Sequence, residues 1–134
     1  MLHDNLSVNA AGHLTVNGAD TVELAEKYGT PLYLLDEDRV RAKCRTYLRA
    51  MKEYFGPESH PLYASKALSF KGIYKIASEE GMSVDVVSPG ELYIALAAGF
   101  DAGNIYFHGN AKTMDDIRYA YENEKNILTI VKYY

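Results

Sequence analysis

The sequence predicts an α/β fold built on a parallel sheet, because strand-like and helix-like segments alternate at a nearly constant spacing. Apolar runs of strand length start near residues 62, 84, 105 and 127, about one every 22 residues. Helical stretches of roughly ten residues lie between them, and each is followed by a residue suited to a left-handed backbone: Gly81, Gly99 and Asn126. Strands that alternate with helices in this way form βαβ units and a parallel sheet. The spacing alone does not distinguish a closed barrel from an open, doubly wound sheet.

Residues 1–30 are predicted to form an extension, and residues 31–134 are predicted to contain the repeating units. A weak strand is expected over residues 13–16, because its apolar side chains are followed by an Asn-Gly turn pair. Asp20 begins a capping-box pattern, which predicts a short helix that ends at Gly29.

A longer helix is predicted after a short strand at residues 32–35, with Asp36 suited to cap its start. Its apolar side chains share one face, at Val40, Cys44, Tyr47, Leu48, Met51 and Phe55. The cysteine therefore belongs to a predicted buried stripe. We interpret it as a structural residue rather than a reactive thiol.

The composition indicates an ordinary soluble globular protein. Of the 134 residues, 48% are hydrophobic and 24% are charged, and the formal net charge is −4. We expect no nucleic-acid partner, because no run rich in Lys and Arg is present. We expect no membrane segment or signal peptide, because no apolar stretch has the required length. A single cysteine is typical of a protein of the reducing cytoplasm.

Lys66 is the first candidate for chemistry, because it lies at the end of the predicted strand that starts at Leu62. The carboxyl ends of parallel strands are where α/β proteins place their active sites. A lysine amine that loses its proton in a desolvated site can form a Schiff base with a carbonyl group. The alternative is a solvated surface lysine, which is the more common situation.

Asp85 is the second candidate, because it interrupts the apolar strand over residues 84–87, where a carboxylate must face a polar site or a partner. Ser88, Pro89 and Glu91 follow it in the pattern of a helix start. Capping is a sufficient explanation for these three residues.

A third cluster, His108-Gly109-Asn110-Ala111-Lys112, follows the predicted strand over residues 105–107. It precedes a helix predicted to be capped by Thr113 and Asp116. Three hydrogen-bonding side chains at a strand end suit a barrel active site. The alternative is a polar loop whose residues only form hydrogen bonds with one another.

Four stretches together resemble a known family. Tyr63-Ala64-Ser65-Lys66-Ala67 resembles the lysine motif of the pyridoxal-phosphate enzymes built on an alanine-racemase-like barrel. The other stretches resemble one branch of these enzymes, the diaminopimelate decarboxylases: Tyr28-Gly29-Thr30-Pro31-Leu32-Tyr33 with Asp36, Asp85-Val86-Val87-Ser88-Pro89-Gly90-Glu91-Leu92, and the His108 to Lys112 cluster. The resemblance departs from the family at Ala111, where a second asparagine is usual, and over the last eight residues.

The resemblance implies a parallel (β/α)8 TIM-type barrel of which this chain holds about the first half, with four or five strands. A complete barrel needs about 250 residues. We therefore expect an N-terminal fragment that is inactive alone. The resemblance also implies that residues 1–30 pack on a C-terminal β-domain and that the intact enzyme is a homodimer.

The resemblance further implies pyridoxal 5′-phosphate as cofactor and Lys66 as the catalytic residue that binds it covalently. Asp85 and His108 are expected to contact the cofactor. Other residues are expected to line the pocket: Ala64, Ser88, Glu91, Asn110 and Lys112. No metal site is expected.

The implied reaction is the conversion of meso-diaminopimelate to L-lysine and carbon dioxide, the last step of lysine biosynthesis, in the cytoplasm. Three alternatives stay open: a racemase of the same fold, a non-catalytic protein that binds pyridoxal phosphate, and an inert half-barrel.

Overall fold

The N-terminal part of the chain is a small antiparallel sheet followed by a helix. This computed structural model describes residues 3–123 and 127–129. The chain separates into two units, Met1–Val40 and Arg41–Tyr134. The boundary expected after residue 30, between the N-terminal extension and the repeating units, stays a prediction.

The first sheet contains β1 (Leu6–Val8), β2 (Leu14–Val16) and β3 (Ala19–Asp20), paired in that order. β2 confirms the predicted weak strand, whereas β1 was not predicted. Asn17 and Gly18 join β2 to β3 with φ values of 47° and 81°. Two consecutive positive φ angles match the twist of a tight hairpin, which explains the Asn-Gly pair.

Asp20 caps α1 (Thr21–Tyr28), as the sequence predicts, by accepting hydrogen bonds from the backbone N–H groups of Val22 and Glu23. Its other carboxylate oxygen lies 2.6 Å from Asn9 Nδ2 and 2.9 Å from His13 Nδ1. Burial raises the pKa of Asp20, but the bonds from His13, the helix N–H groups and Asn9 outweigh it and lower the pKa to about 2.

We expect the free energy of unfolding to decrease at low pH because of Asp20. Its pKa in the folded chain is about 2, below the ordinary value of 3.8. Its contribution to the free energy of unfolding is therefore complete above pH 3.8 and is lost as the pH falls towards 2. Asp20→Asn keeps a capping side chain but does not titrate. Its melting temperature should therefore fall less than that of the original chain between pH 4 and pH 2.

Glu26→Gln provides the matched control, because it removes an exposed carboxylate from the same helix. It should melt with the same pH dependence as the original chain. If Asp20→Asn also followed the original curve, the low pKa of Asp20 would be contradicted.

The strand predicted over residues 32–35 is wrong, because these residues have no regular secondary structure and pair with no described strand. Their side chains are exposed, and Tyr33 is 99% exposed. The apolar pattern was correct for a strand, but a strand also requires a neighbour for its backbone N–H and C=O groups.

Helix α2 (Glu37–Phe55) follows, and Asp36 caps it by accepting a 3.0 Å hydrogen bond from the Arg39 N–H. Cys44 is buried, and burial followed by the nearby charge of Glu80 raises the pKa of its thiol, as expected for a structural cysteine. The stripe is not buried along its full length, because Tyr47 and Phe55 are 62% and 75% exposed. In the described part of the chain, neither α2 nor another helix has the apolar length that crossing a membrane requires.

The second unit contains the predicted parallel sheet. Its strands pair in sequence order and are β4 (Leu62–Ala64), β5 (Ser83–Val86), β6 (Ile105–Phe107) and β7 (Leu128–Thr129). The connecting helices are α3 (Lys71–Glu79), α4 (Pro89–Ala97) and α5 (Met114–Asn123). Gly81 and Gly99 follow α3 and α4 with φ values of 81° and 87°, as predicted. The expectation for Asn126 lies outside the described residues.

The strand register separates the sheet into two faces. Val84 pairs with Ile105 and Val86 pairs with Phe107, and all four side chains are fully buried on the face that carries the helices. Because side chains alternate along a strand, Asp85 points to the opposite face. Asp85 is in register with Ala64 of β4 and Tyr106 of β6. The sheet face that packs against the helices therefore forms the core, and the opposite face carries the polar side chain of Asp85.

Candidate functional site

The candidate site lies where β4, β5 and β6 end. Lys66 occupies a 3-10 turn, Ser65–Ala67, directly after β4. Asp85 lies one residue before the end of β5 and pairs with Ala64. His108 follows β6, and its N–H donates a 2.9 Å hydrogen bond to Val86 O. The fold thus brings the three residues to the same edge of the sheet.

Lys66 has an exposed side chain, but the turn that carries it is firmly attached on both sides. Before it, the fully buried Ser65 donates from Oγ to Glu91 Oε2 at 2.8 Å. After it, Leu68 O accepts a 2.7 Å hydrogen bond from the Tyr63 hydroxyl. The backbone around the lysine is therefore held by two side chains, while the lysine itself faces solvent.

Glu91 has more contacts than the predicted helix cap. Ser88 caps α4 as expected, with its Oγ accepting a 3.2 Å hydrogen bond from the Glu91 N–H. The Glu91 carboxylate accepts from the Val87 N–H at 2.7 Å and from Ser65 through the same oxygen. Local sequence patterns do not indicate the Ser65 contact, because the two residues are 26 positions apart.

Asp85 carries a buried carboxylate oxygen, Oδ1, that has no hydrogen-bond partner among the described residues. His108 Nδ1 lies 3.7 Å from this oxygen, which is too far for a hydrogen bond. A buried acceptor without a donor is costly. Its position at the sheet edge suits a bound ligand that supplies the missing hydrogen.

The loop after β6 is partly held by contacts within itself. Lys112 Nζ donates to Gly109 O at 2.9 Å and lies 4.9 Å from the centre of the Phe107 ring. Burial lowers the pKa of Lys112, and the charges of Asp85 and Asp116 oppose this effect. The lysine ammonium therefore lies within the electrostatic influence of Asp85.

The end of this loop forms the predicted helix cap. Thr113 and Asp116 exchange hydrogen bonds, 2.8 Å from the Thr113 N–H to the carboxylate and 3.2 Å from the Asp116 N–H to the hydroxyl. Within the cluster from His108 to Lys112, the bond from Lys112 to Gly109 agrees with the alternative of a polar loop whose residues hydrogen-bond one another. The side chains of His108 and Asn110, by contrast, are exposed at the sheet edge.

The arrangement supplies a lysine on a fixed turn, an unsatisfied carboxylate oxygen and an imidazole beside that oxygen. The carboxylate suits pyridoxal phosphate, which carries hydrogen-bonding groups around an aromatic ring, and the lysine suits its aldehyde. The individual roles of Lys66, Asp85 and His108 remain predictions, as do those of the pocket-lining residues.

Comparison with known proteins gives a consistent result. Residues 37–134 match the family model for the pyridoxal-dependent decarboxylase, pyridoxal binding domain. The chain is 44% identical over 128 residues to the diaminopimelate decarboxylase of Bacillus methanolicus, which covers 96% of this chain and 29% of the relative. It is 43% identical over 133 residues to that of Bacillus subtilis, which covers 99% of this chain and 30% of the relative.

Solved structures agree with these sequence matches. The diaminopimelate decarboxylase of M. jannaschii superposes with a TM-score of 0.81 and 36% identity, over 87% of this chain and 27% of that one. The Helicobacter pylori enzyme, complexed with L-lysine, gives a TM-score of 0.73 and 31% identity, over 85% of this chain and 28% of its own.

The chain spans about three tenths of the length of the relatives it matches. The likeness of sequence and structure confirms the predicted barrel, so the four parallel strands are part of an alanine-racemase-like barrel and not of an open, doubly wound sheet. Pyridoxal phosphate is accordingly the cofactor of this type of domain. The chain belongs to the pyridoxal-dependent decarboxylases and contains residues of their pyridoxal-binding domain.

Proposed function

We propose that the chain is part of a diaminopimelate decarboxylase, which converts meso-diaminopimelate into L-lysine and carbon dioxide. The observation that carries this proposal is the unsatisfied Asp85 Oδ1, which lies at the same sheet edge as the turn that carries Lys66. The identity of 43–44% to two enzymes of that name supports the choice of substrate. So does the L-lysine bound in the Helicobacter pylori enzyme, because lysine is the product of the proposed reaction.

Lys66 is proposed to hold pyridoxal phosphate covalently, because it is an exposed amine on a fixed turn at the strand edge. When bound, this cofactor accepts the electron pair that remains on the substrate when carbon dioxide leaves. Asp85 is proposed to accept a hydrogen bond from the bound group through Oδ1, which satisfies the buried oxygen.

His108 is proposed to contact the cofactor beside Asp85, because its exposed side chain lies at the same sheet edge, with Nδ1 3.7 Å from Asp85 Oδ1. Lys112 places a positive charge near Asp85. The remaining proposed pocket-lining residues are Ala64, Ser88, Glu91 and Asn110.

The proposal extends to the whole enzyme as a cytoplasmic homodimer that acts on a small amino acid. A single cysteine supports the reducing compartment. The homodimer rests on the resemblance to the diaminopimelate decarboxylases.

A chimera provides the test of the proposed reaction. In it, this chain replaces the segment of the Bacillus subtilis diaminopimelate decarboxylase that it matches. We expect the chimera to release carbon dioxide and L-lysine from meso-diaminopimelate in the presence of pyridoxal phosphate. Lysine is measured by chromatography and carbon dioxide by a coupled assay, with the unaltered Bacillus enzyme as the reference.

The same chimera distinguishes the alternatives. It is also supplied with L-ornithine, L-lysine and L-alanine, and their decarboxylation or racemisation is measured. A folded chimera that binds pyridoxal phosphate but acts on one of these amino acids, or on none, would contradict the proposal.

A further inference from the structure

The turn that carries Lys66 is connected to a different part of the sheet edge through one buried hydroxyl. Ser65 is fully buried, and its Oγ donates to Glu91 Oε2 at 2.8 Å. The same oxygen accepts from the Val87 N–H at 2.7 Å. Glu91 therefore joins the end of β4 to the β5–α4 connection.

The acceptor is itself fixed in place. Glu91 lies in the first turn of α4, where a negative charge is favoured by the helix dipole and by free N–H groups. Ser88 and Pro89 define the start of this helix, so the backbone that carries the carboxylate is well determined. A charge-assisted hydrogen bond to such an acceptor restricts the donor more than a bond to a mobile surface group.

The position of Ser65 gives this bond a consequence for Lys66. The two residues are adjacent in one short turn, so fixing the backbone of Ser65 also fixes the direction in which the Lys66 side chain leaves the sheet edge. The rest of the lysine side chain is long and exposed, and its reach depends on that starting direction. A small displacement of a reacting group lowers the reaction rate strongly.

We propose that Ser65 is a positioning residue, which directs Lys66 towards the cofactor through its bond to Glu91. This inference rests on the proposed function, in which Lys66 is the lysine that binds pyridoxal phosphate. Ser65 itself is buried and is not assigned a contact with the cofactor.

The test measures how fast each lysine of the 134-residue chain captures pyridoxal phosphate. The lysine nitrogen replaces the aldehyde oxygen, which leaves as water, and borohydride then delivers hydride to the new C=N bond and makes it permanent. Peptide mapping by mass spectrometry gives the labelled fraction of each lysine with time. Exposed Lys43 on α2 reports general reactivity in the same sample.

We expect Ser65→Ala to slow the labelling of Lys66 by about tenfold, as suits the loss of a hydrogen bond to a charged group, and to leave the labelling of Lys43 unchanged. Ser59→Ala is the matched control, because it removes a serine hydroxyl that donates to Gly56 O at 2.6 Å, before β4. It should not change the labelling of Lys66. Circular dichroism of each variant shows whether the chain has kept its structure, so a slower labelling of Lys66 with an unchanged spectrum reports positioning.

Glu91→Gln provides a second variant that keeps the shape of the side chain and weakens the bond, because it is no longer charge-assisted. We expect an intermediate decrease in Lys66 labelling. Suppose that Lys66 is labelled faster than Lys43 in the original chain, and that both variants label Lys66 as fast as the original chain does. The positioning role is then overturned and the proposed function stands. If Lys66 is labelled no faster than Lys43 in the original chain, the proposed covalent role of Lys66 and the positioning role are both overturned, while the proposed decarboxylation is decided by the chimera.

Discussion

Replacing Lys66 with alanine is expected to abolish the specific covalent binding of pyridoxal phosphate and to lower the decarboxylation rate of the chimera by at least about 1,000-fold. Alanine has no amine to react with the aldehyde, and the turn Ser65–Ala67 contains no other lysine that could replace Lys66. The measurements are the visible absorbance of the bound cofactor and the release of carbon dioxide from meso-diaminopimelate.

Lys71→Ala gives the matched control, because Lys71 is also an exposed lysine and lies only five positions further along the chain. It begins α3, after the turn that carries Lys66. The control should keep the absorbance band and the activity. An equal absorbance band in Lys66→Ala and in the original chimera would remove Lys66 from its proposed role.

Local patterns predicted the parts of the fold that depend on neighbouring residues. The caps at Asp20, Ser88 and Thr113 each use a side chain and an N–H group only two or three positions away, so their pattern is complete in the sequence. The sequence also indicates that Asp85 is unusual, because it interrupts an apolar strand, where a carboxylate must face a polar site or a partner. The structure places it on the face opposite the helices.

The missed features depend on distant partners. The bond between Ser65 and Glu91 joins residues that only the pairing of β4 with β5 brings together. Ser65 carried no signal of its own, because a serine beside an important lysine has many explanations. The unsatisfied Asp85 oxygen could not be predicted either, since it requires knowledge of every nearby donor.

Exposure of apolar side chains shows the same dependence on partners. Tyr47 and Phe55 lie on the apolar face of α2 by their spacing, yet both are largely exposed. Periodicity indicates which face is apolar but not how far along the helix a neighbour covers that face. The wrong strand at residues 32–35 has a related cause, because its pattern does not reveal whether a pairing strand is present.

Phe107→Ala is expected to lower the free energy of unfolding by about 3–5 kcal/mol, the usual cost of deleting a large buried aromatic side chain. Phe107 is fully buried at the end of β6, in register with the fully buried Val86. Its ring also lies 4.9 Å from Lys112 Nζ, so its loss removes a contact of the loop that carries His108. Urea denaturation followed by circular dichroism measures the change.

Tyr93→Ala serves as the control, because Tyr93 is an aromatic residue of similar size in α4 that is 63% exposed. Its removal should cost less than about 1 kcal/mol, since an exposed ring gives up little burial. The comparison matters because total stability is only about 5–15 kcal/mol for most domains. If the two variants unfolded at the same urea concentration, the face of the sheet that carries Val84, Val86, Ile105 and Phe107 would not be the core that supports the site.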